Sequence, residues 1–214
     1  QVVAVVTVAD KPAGRGQRLQ ESSVKKYALS QQIPVLQPIS LRDEGFLAQL
    51  KAFQADVQVV VAFRMLPKVV WQMPRKGTFN LHASLLPDYR GAAPINWAII
   101  GGEATTGVTT FLIDEQIDTG AILLRKEVAI APRETAGTLH DKLMTVGADL
   151  VVETLALIAS DKAVPQSQPK QVVEKPAPKI HKETSHISWE QSLAQIDRFV
   201  RGMSPYPTAW AQLH

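Results

Sequence analysis

Cysteine is absent from this 214-residue chain. That excludes disulfides, a thiolate nucleophile and thiolate-ligated zinc, and it fits a cytoplasmic location. Apolar runs of the roughly 20 residues needed to span a bilayer are absent too. There is no basic-then-apolar leader at the start, so no membrane partner is expected. No internal repeat is present, and no two histidines or carboxylates fall at a ligand spacing, so no metal is expected either. Charge of one sign is scarcely in excess: the formal net charge is +3 and the pI is near 9.2. The placing of the charges therefore says more than their sum.

What is present is the make-up of an ordinary globular protein, 45% hydrophobic and 20% charged, long enough for one good-sized domain and a fragment of another. Residues 2–8 form a continuous β-branched run, which predicts a strand buried on both faces of a parallel sheet. A helix is expected over 21–31 and a short strand over 33–36, with Pro34 at an edge or a strand start. Phe46, Leu47, Leu50 and Phe53 recur at helical spacing within 43–54. Strands are expected over 57–63 and 79–82, then a helix over 93–100 with Pro94 tolerated in its first turn. A pair of strands (108–113 and 121–130) and a long helix over 135–158 follow. Strands alternating with helical patterns predict an α/β fold, an open, mostly parallel sheet flanked by helices. Residues 165–178, rich in Pro, Gln, Lys and Val, read as an extended connector. Order resumes at 187–189 and 192–203, with a turn at 204–207.

Lys11, Arg15, Arg18, Lys25 and Lys26 cluster around the segment Lys11-Pro12-Ala13-Gly14-Arg15-Gly16. A flexible basic loop suits an anionic partner, nucleic acid first. The same charges also fit a solvated loop that aids solubility.

The most informative stretch is Thr78-Phe79-Asn80-Leu81-His82-Ala83-Ser84-Leu85-Leu86-Pro87-Asp88-Tyr89-Arg90-Gly91, followed downstream by Asp118-Thr119-Gly120. Strand side chains alternate, so Asn80 and His82 share one face. That face offers a neutral donor for a developing oxyanion and an imidazole of the kind that titrates near neutrality. Such a pair suits acyl transfer without a covalent intermediate. Singly, Asn80 and Asp118 also fit turn or capping roles and His82 a satisfied core imidazole. His140, His181, His186 and His214 are assigned no chemistry.

Taken in order, Asn80 to Pro87, Tyr89-Arg90-Gly91-Ala92-Ala93-Pro94-Ile95, Gly107-Val108-Thr109 and Asp118-Thr119-Gly120 resemble the 10-formyltetrahydrofolate-dependent formyltransferases. Within them they look most like the branch that acts on methionyl-tRNA. The resemblance implies a Rossmann-like fold and 10-formyltetrahydrofolate as co-substrate. It implies initiator methionyl-tRNA as acceptor, with no metal and no obligate protein partner. The amine attacks the formamide carbonyl directly. Asn80 would donate to the oxyanion, a role in which one donor supplies about 3–4 kcal/mol. His82 would shuttle the proton from the attacking amine to the leaving nitrogen. Asp118 would orient His82 and hold an ordered water.

Ser84, Leu85, Leu86 and Pro87 would form the folate-contacting turn, although one or both leucines also fit the core. A second folate wall maps to Arg64, Met65 and Leu66. Phe63-Arg64 departs from the family's more usual Tyr-Gly, and Ala83 replaces a usual Gly. Lys11, Arg15 and Arg18 would meet tRNA. The implied organisation is a catalytic domain over 1–164 lacking the family's first strand and helix, a linker over 165–186, and the beginning of a truncated C-terminal tRNA-binding domain over 187–214. Enzymes acting on an amino sugar nucleotide or glycinamide ribonucleotide share the Asn, His and Asp, and a hydrolase releasing formate is a weaker option. A non-catalytic folate- or RNA-binding module is the alternative of another class.

Overall fold

The structure is a computed structural model that describes residues 1–13, 18–62, 65–169 and 175–212. The chain divides into two compact units, Gln1–Gln58 with Phe63–Thr78, and Val59–Ala62 with Phe79–His214.

The first unit opens with β1 (Val5–Val6), which pairs in parallel with β4 further on, Val5 with Val35 and Val6 with Leu36. Between them lie β2 (Lys11–Ala13), β3 (Arg18–Gln20) and α1 (Ser23–Ser30), and β4 itself is Val35–Leu36. The strand expected over 2–8 thus shrinks to two residues, and Val2 and Val8 are 59% and 49% exposed. An apolar run buries only where neighbours cover it, and among the described residues β1 has one ladder partner. Of the segment expected as a basic loop, Lys11–Ala13 pair antiparallel with Arg18–Gln20, Lys11 opposite Gln20 and Ala13 opposite Arg18. Residues 14–17, Arg15 among them, lie outside the described residues. Lys25 is not available to a partner, because its ammonium is committed to Asp10 and to Glu21, the latter at 2.9 Å.

Helix α1 starts at Ser22, whose hydroxyl accepts from Lys25 N at 3.1 Å, and α2 (Glu44–Ala52) starts at Asp43, which accepts from Phe46 N at 2.8 Å. Each cap satisfies a donor that the helix cannot. Glu44 in the first turn and Lys51 in the last complement the α2 dipole. Strand β5 (Gln58–Val61) belongs, but for its first residue, to the second unit, and α3 (Lys68–Trp71) is again in the first. Leu41, Phe46, Leu50 and Val70 form the first unit's core, with Leu66 packed at its margin.

The second unit holds a sheet in the order β5-β6-β7-β8, with β6 at Thr78–His82, α4 at Pro94–Gly101, β7 at Thr105–Leu112 and β8 at Ile122–Ala129. Strands β6, β7 and β8 are antiparallel to one another in turn. β7 is buried along nearly its whole length because α5 (Ala136–Ala159) packs on it. Helix α5 presents Ala136, Leu139, Leu143, Gly147, Leu150, Thr154 and Ile158 inward, a three-and-four spacing that makes one apolar stripe. Its start is a capping box in which Thr135 and Thr138 satisfy each other's backbone N–H. Ile99, Val108, Leu139, Leu143 and Leu150 form the main core. The expected helices over 93–100 and 135–158 and the strand pair after the first of them are all present.

The described parts of the 165–178 stretch, 165–169 and 175–178, are tied to the second unit by hydrogen bonds. Gln166 and Ile122 exchange backbone hydrogen bonds of 2.8 Å, and Ala177 pairs with Gly91. Beyond a 3-10 turn at Glu183–Ser185, α6 (Leu193–Gly202) packs on α4, where Asn96 Nδ2 donates to Gly202 O at 2.7 Å. Among the described residues no helix is long and apolar enough to cross a membrane.

Leu139 is wholly enclosed. Leu139→Ala should lower unfolding free energy by about 2–5 kcal/mol, the usual cost of lost transfer plus a residual cavity, read from urea unfolding. A loss below about 1 kcal/mol would mean that the α5 stripe is not the main core.

Candidate active site

Strand β6 carries Asn80 and His82 on one face, Asn80 opposite Phe111 of β7 and His82 opposite Thr109. The His82 ring is buried and meets Phe111 edge-on, 6.4 Å between centroids. Its Nε2 lies 2.9 Å from Tyr89 O. A carbonyl can only accept, so Nε2 carries the proton and Nδ1 is the basic nitrogen of the neutral ring. Nδ1 faces Asp118 Oδ2 at 3.7 Å, within charge–charge reach but beyond a direct hydrogen bond. Gly91 N donates to that same carboxylate oxygen at 2.9 Å.

Asn80 Oδ1 is buried with no hydrogen-bond partner among the described residues. Leaving a buried polar atom unpaired costs about 1–3 kcal/mol, and a folded chain tolerates it chiefly where a ligand completes the group. A neutral amide free to bond, a buried imidazole with an open nitrogen, and a carboxylate behind that nitrogen can together receive a polar carbonyl compound and move a proton beside it. Among the described residues no three histidines or carboxylates gather as metal ligands would.

The turn after β6 is pinned from β7. Thr109 Oγ1 donates to Ser84 O at 2.6 Å and accepts from Leu86 N at 3.2 Å. Ser84 Oγ donates to Asp88 O at 2.5 Å, and Arg125 Nη1 donates to Leu86 O at 3.1 Å. Ser84 and Leu86 are wholly buried, Leu86 against Phe111 and Ile122. Their side chains therefore hold the turn, and any contact they make to a ligand is through backbone. Leu85 and Pro87 are half-buried, and Leu85 packs on Gly107, where a Cβ would come within 2.5 Å of Leu85 Cδ2. Asn80, His82, Asp118 and the 84–87 turn thus share the second unit. Lys11, Arg18, Met65 and Leu66 belong to the first unit, Lys11 and Met65 being exposed. Arg64, like Arg15, lies outside the described residues.

Sequence reasoning missed the supports. Tyr89, whose carbonyl holds His82, donates its hydroxyl to Glu103 Oε1 at 2.7 Å, and Lys175 Nζ donates to the same oxygen at 2.8 Å. Burial raises the Glu103 pKa, but hydrogen bonds from Lys175 and Tyr89 outweigh it and leave the carboxyl below its ordinary range. Burial, then the Glu103 carboxylate, pushes the Tyr89 phenol well up, so it stays a neutral donor. The one available signal was Gly91 in the quoted motif. Its φ of +123 and the 2.5 Å approach of a notional Cβ to Ala177 O show a backbone conformation that other residues resist.

A model of the formyl transferase family matches residues 1–155, and a model of the formyl transferase C-terminal domain matches residues 179–214. The methionyl-tRNA formyltransferase of Flavobacterium johnsoniae is 58% identical over 212 residues, covering 99% of this chain and 67% of the relative. That of Bacteroides thetaiotaomicron is 54% identical over 215 residues, with 99% and 67% covered. The chain spans about two thirds of the length of these relatives. Among solved structures, HypX from Aquifex aeolicus in complex with tetrahydrofolic acid is similar with a TM-score of 0.73 at 18% identity, over 100% of this chain and 36% of that one. A 4-N formyltransferase from Francisella tularensis gives 0.70 at 19%, over 88% and 76%. At such identities the likeness speaks to fold alone, and it bears out the Rossmann-like α/β class.

A carboxyl whose folded pKa lies below its ordinary 4.5 adds stability that is complete above that value and is lost as pH falls through the folded value. Urea midpoints of the wild type and Glu103→Gln should therefore converge on acidification from about pH 6 to about pH 3. Parallel curves would show that Glu103 carries no such linkage.

Proposed function

Because this chain belongs to the formyl transferase family, we propose that it transfers a formyl group from 10-formyltetrahydrofolate to the α-amine of initiator methionyl-tRNA. The observation that carries the reading is the Asn80–His82–Asp118 arrangement: an amide oxygen left unpaired beside an imidazole whose open nitrogen faces a carboxylate. The acceptor is favoured by identities of 54–58% to relatives named for methionyl-tRNA. Sugar N-formyltransferases are matched at 18–20%, which supports no choice of substrate.

When bound, 10-formyltetrahydrofolate supplies an activated formamide whose carbon the amine attacks. The chain's own residues do the rest. Asn80 donates from Nδ2 to the formyl oxygen as negative charge grows there, and its unpaired Oδ1 is open to an N–H of the amine. His82 takes a proton on Nδ1 from the nitrogen that has attacked and passes it towards the nitrogen that leaves. Asp118 sits behind Nδ1 and stabilises the positive charge the ring gains. No acyl-enzyme is needed, and Leu85 and Pro87 offer the flat co-substrate half-buried apolar surface.

Lys11, Arg15 and Arg18 meet phosphates at the acceptor end, and residues 179–214, which match the family's C-terminal domain, help to hold tRNA. A translation-linked reaction in a cysteine-free chain belongs in the cytoplasm.

Formyl transfer to methionyl-tRNA by the full-length protein tests the reading. Asn80→Ala should lower kcat about 10²–10³-fold, as loss of one oxyanion donor does, and His82→Ala should abolish measurable turnover. Transfer to an amino sugar nucleotide but not to methionyl-tRNA would overturn the acceptor assignment. Arg15→Ala should raise KM for methionyl-tRNA, reduce the salt slope of tRNA binding by about 1, and leave folate binding unchanged. Equal loss of both ligands would remove the separate tRNA role.

A further inference from the structure

Asp118 occupies the left-handed backbone region, φ +55, which Asp tolerates better than most residues but which still needs a turn held in place around it. The connector supplies that hold. Gln168 Nε2 donates to Asp118 O at 2.8 Å and to Gly120 O at 2.9 Å, bridging both ends of the Asp118-Thr119-Gly120 turn. Gln168 Oε1 accepts from Arg90 Nε at 3.2 Å and Nη2 at 2.6 Å. The next residue, Gly91, donates its N–H to Asp118 Oδ2, the oxygen that faces His82. The circuit therefore closes: Asp118 backbone, Gln168, Arg90, Gly91, Asp118 carboxylate.

Both flanks of the circuit are fixed. Gln166 pairs with Ile122 two residues before Gln168, and Ala177 N donates to Arg90 O at 2.8 Å. A glutamine amide has two N–H groups and one oxygen with two lone pairs, and here both ends of it are used. Only an amide serves this place: two carbonyls require donors on one side, and a guanidinium requires an acceptor on the other.

We propose that Gln168 is a positioning residue for the catalytic carboxylate, setting Asp118 against Nδ1 of His82 from a segment remote in sequence. The catalytic consequence rests on the formyl-transfer reading; the geometric one does not. Two variants test it in the full-length protein. Gln168→Leu removes both halves of the bridge. Gln168→Glu keeps its length and its partner Arg90 but offers the two carbonyls no hydrogen.

Both variants should lose about 10²-fold in kcat, the usual effect of misplacing a catalytic group by about 1 Å, with KM for both substrates within about threefold of wild type. The ¹⁵N shifts of the His82 ring should move in both towards those of Asp118→Asn, with melting confirming that each variant is folded. A folded Gln168→Glu protein with wild-type kcat, or with wild-type His82 shifts, overturns the proposal. Should the wild type fail to formylate methionyl-tRNA, the functional reading falls, and the His82 shifts alone then decide whether Gln168 sets Asp118.

Discussion

Thr109 stands opposite His82 in the antiparallel pairing of β6 with β7, and its enclosed hydroxyl donates to Ser84 O while accepting from Leu86 N. That pairing decides which atoms of the site can meet. Because side chains alternate along a strand, a slip of one residue would send His82 to the opposite face and bring a different hydroxyl, or none, to the turn. The register is held by what lies behind it: Phe79 and Val108 are almost wholly buried, and α5 covers β7 with Leu139, Leu143 and Leu150. Hydrophobic packing thus specifies the register, and the register specifies the chemistry.

Several buried hydroxyls of the second unit are paired. Thr110 and Thr154 share a hydrogen bond of 2.9 Å between β7 and α5, and Thr154 also donates to Leu150 O at 2.7 Å. Thr109 donates to Ser84 O, and Ser84 to Asp88 O. Against these paired hydroxyls stands the unpaired amide oxygen of Asn80. The simplest physical account is that the missing partner is a molecule that comes and goes.

Much of this was legible in the chain. The helices over 93–100 and 135–158 carry their own signals: Pro94 at the first position of one, Thr135 capping the other, and an apolar stripe at three-and-four spacing. Asn80 and His82 were legible together because strand alternation is a local rule. The run at 2–8 misled for the opposite reason. Its burial depends on which strands lie alongside, and β1 pairs over two residues only. The pairing of 11–13 with 18–20 depends likewise on cross-strand contacts that no local pattern announces. Leu85 and Leu86 look alike in sequence, yet their neighbours make one half-buried and the other wholly buried. Gln168 was invisible, since its partners lie 48 to 78 residues away and a glutamine in a polar stretch carries no periodicity.

The choice of groups around the site fits the one controllable charge that the proposed mechanism needs. In the proposed reaction His82 gains and loses a proton next to Asp118, so any further full charge close to the pair would bias the ring towards one state. The groups that hold the pair in place are accordingly neutral: the Tyr89 carbonyl on Nε2, the Gly91 amide on Asp118 Oδ2, and the Gln168 amide on the turn. The Arg90 guanidinium bonds to Gln168, which passes on position through dipoles. On the other side, Lys175 and Glu103 compensate each other, and Glu103 holds the Tyr89 side chain whose backbone carbonyl meets His82. Charges set one residue back, behind amides and carbonyls, are the arrangement that the proposed acid–base pair requires, since they hold its geometry without fixing its proton.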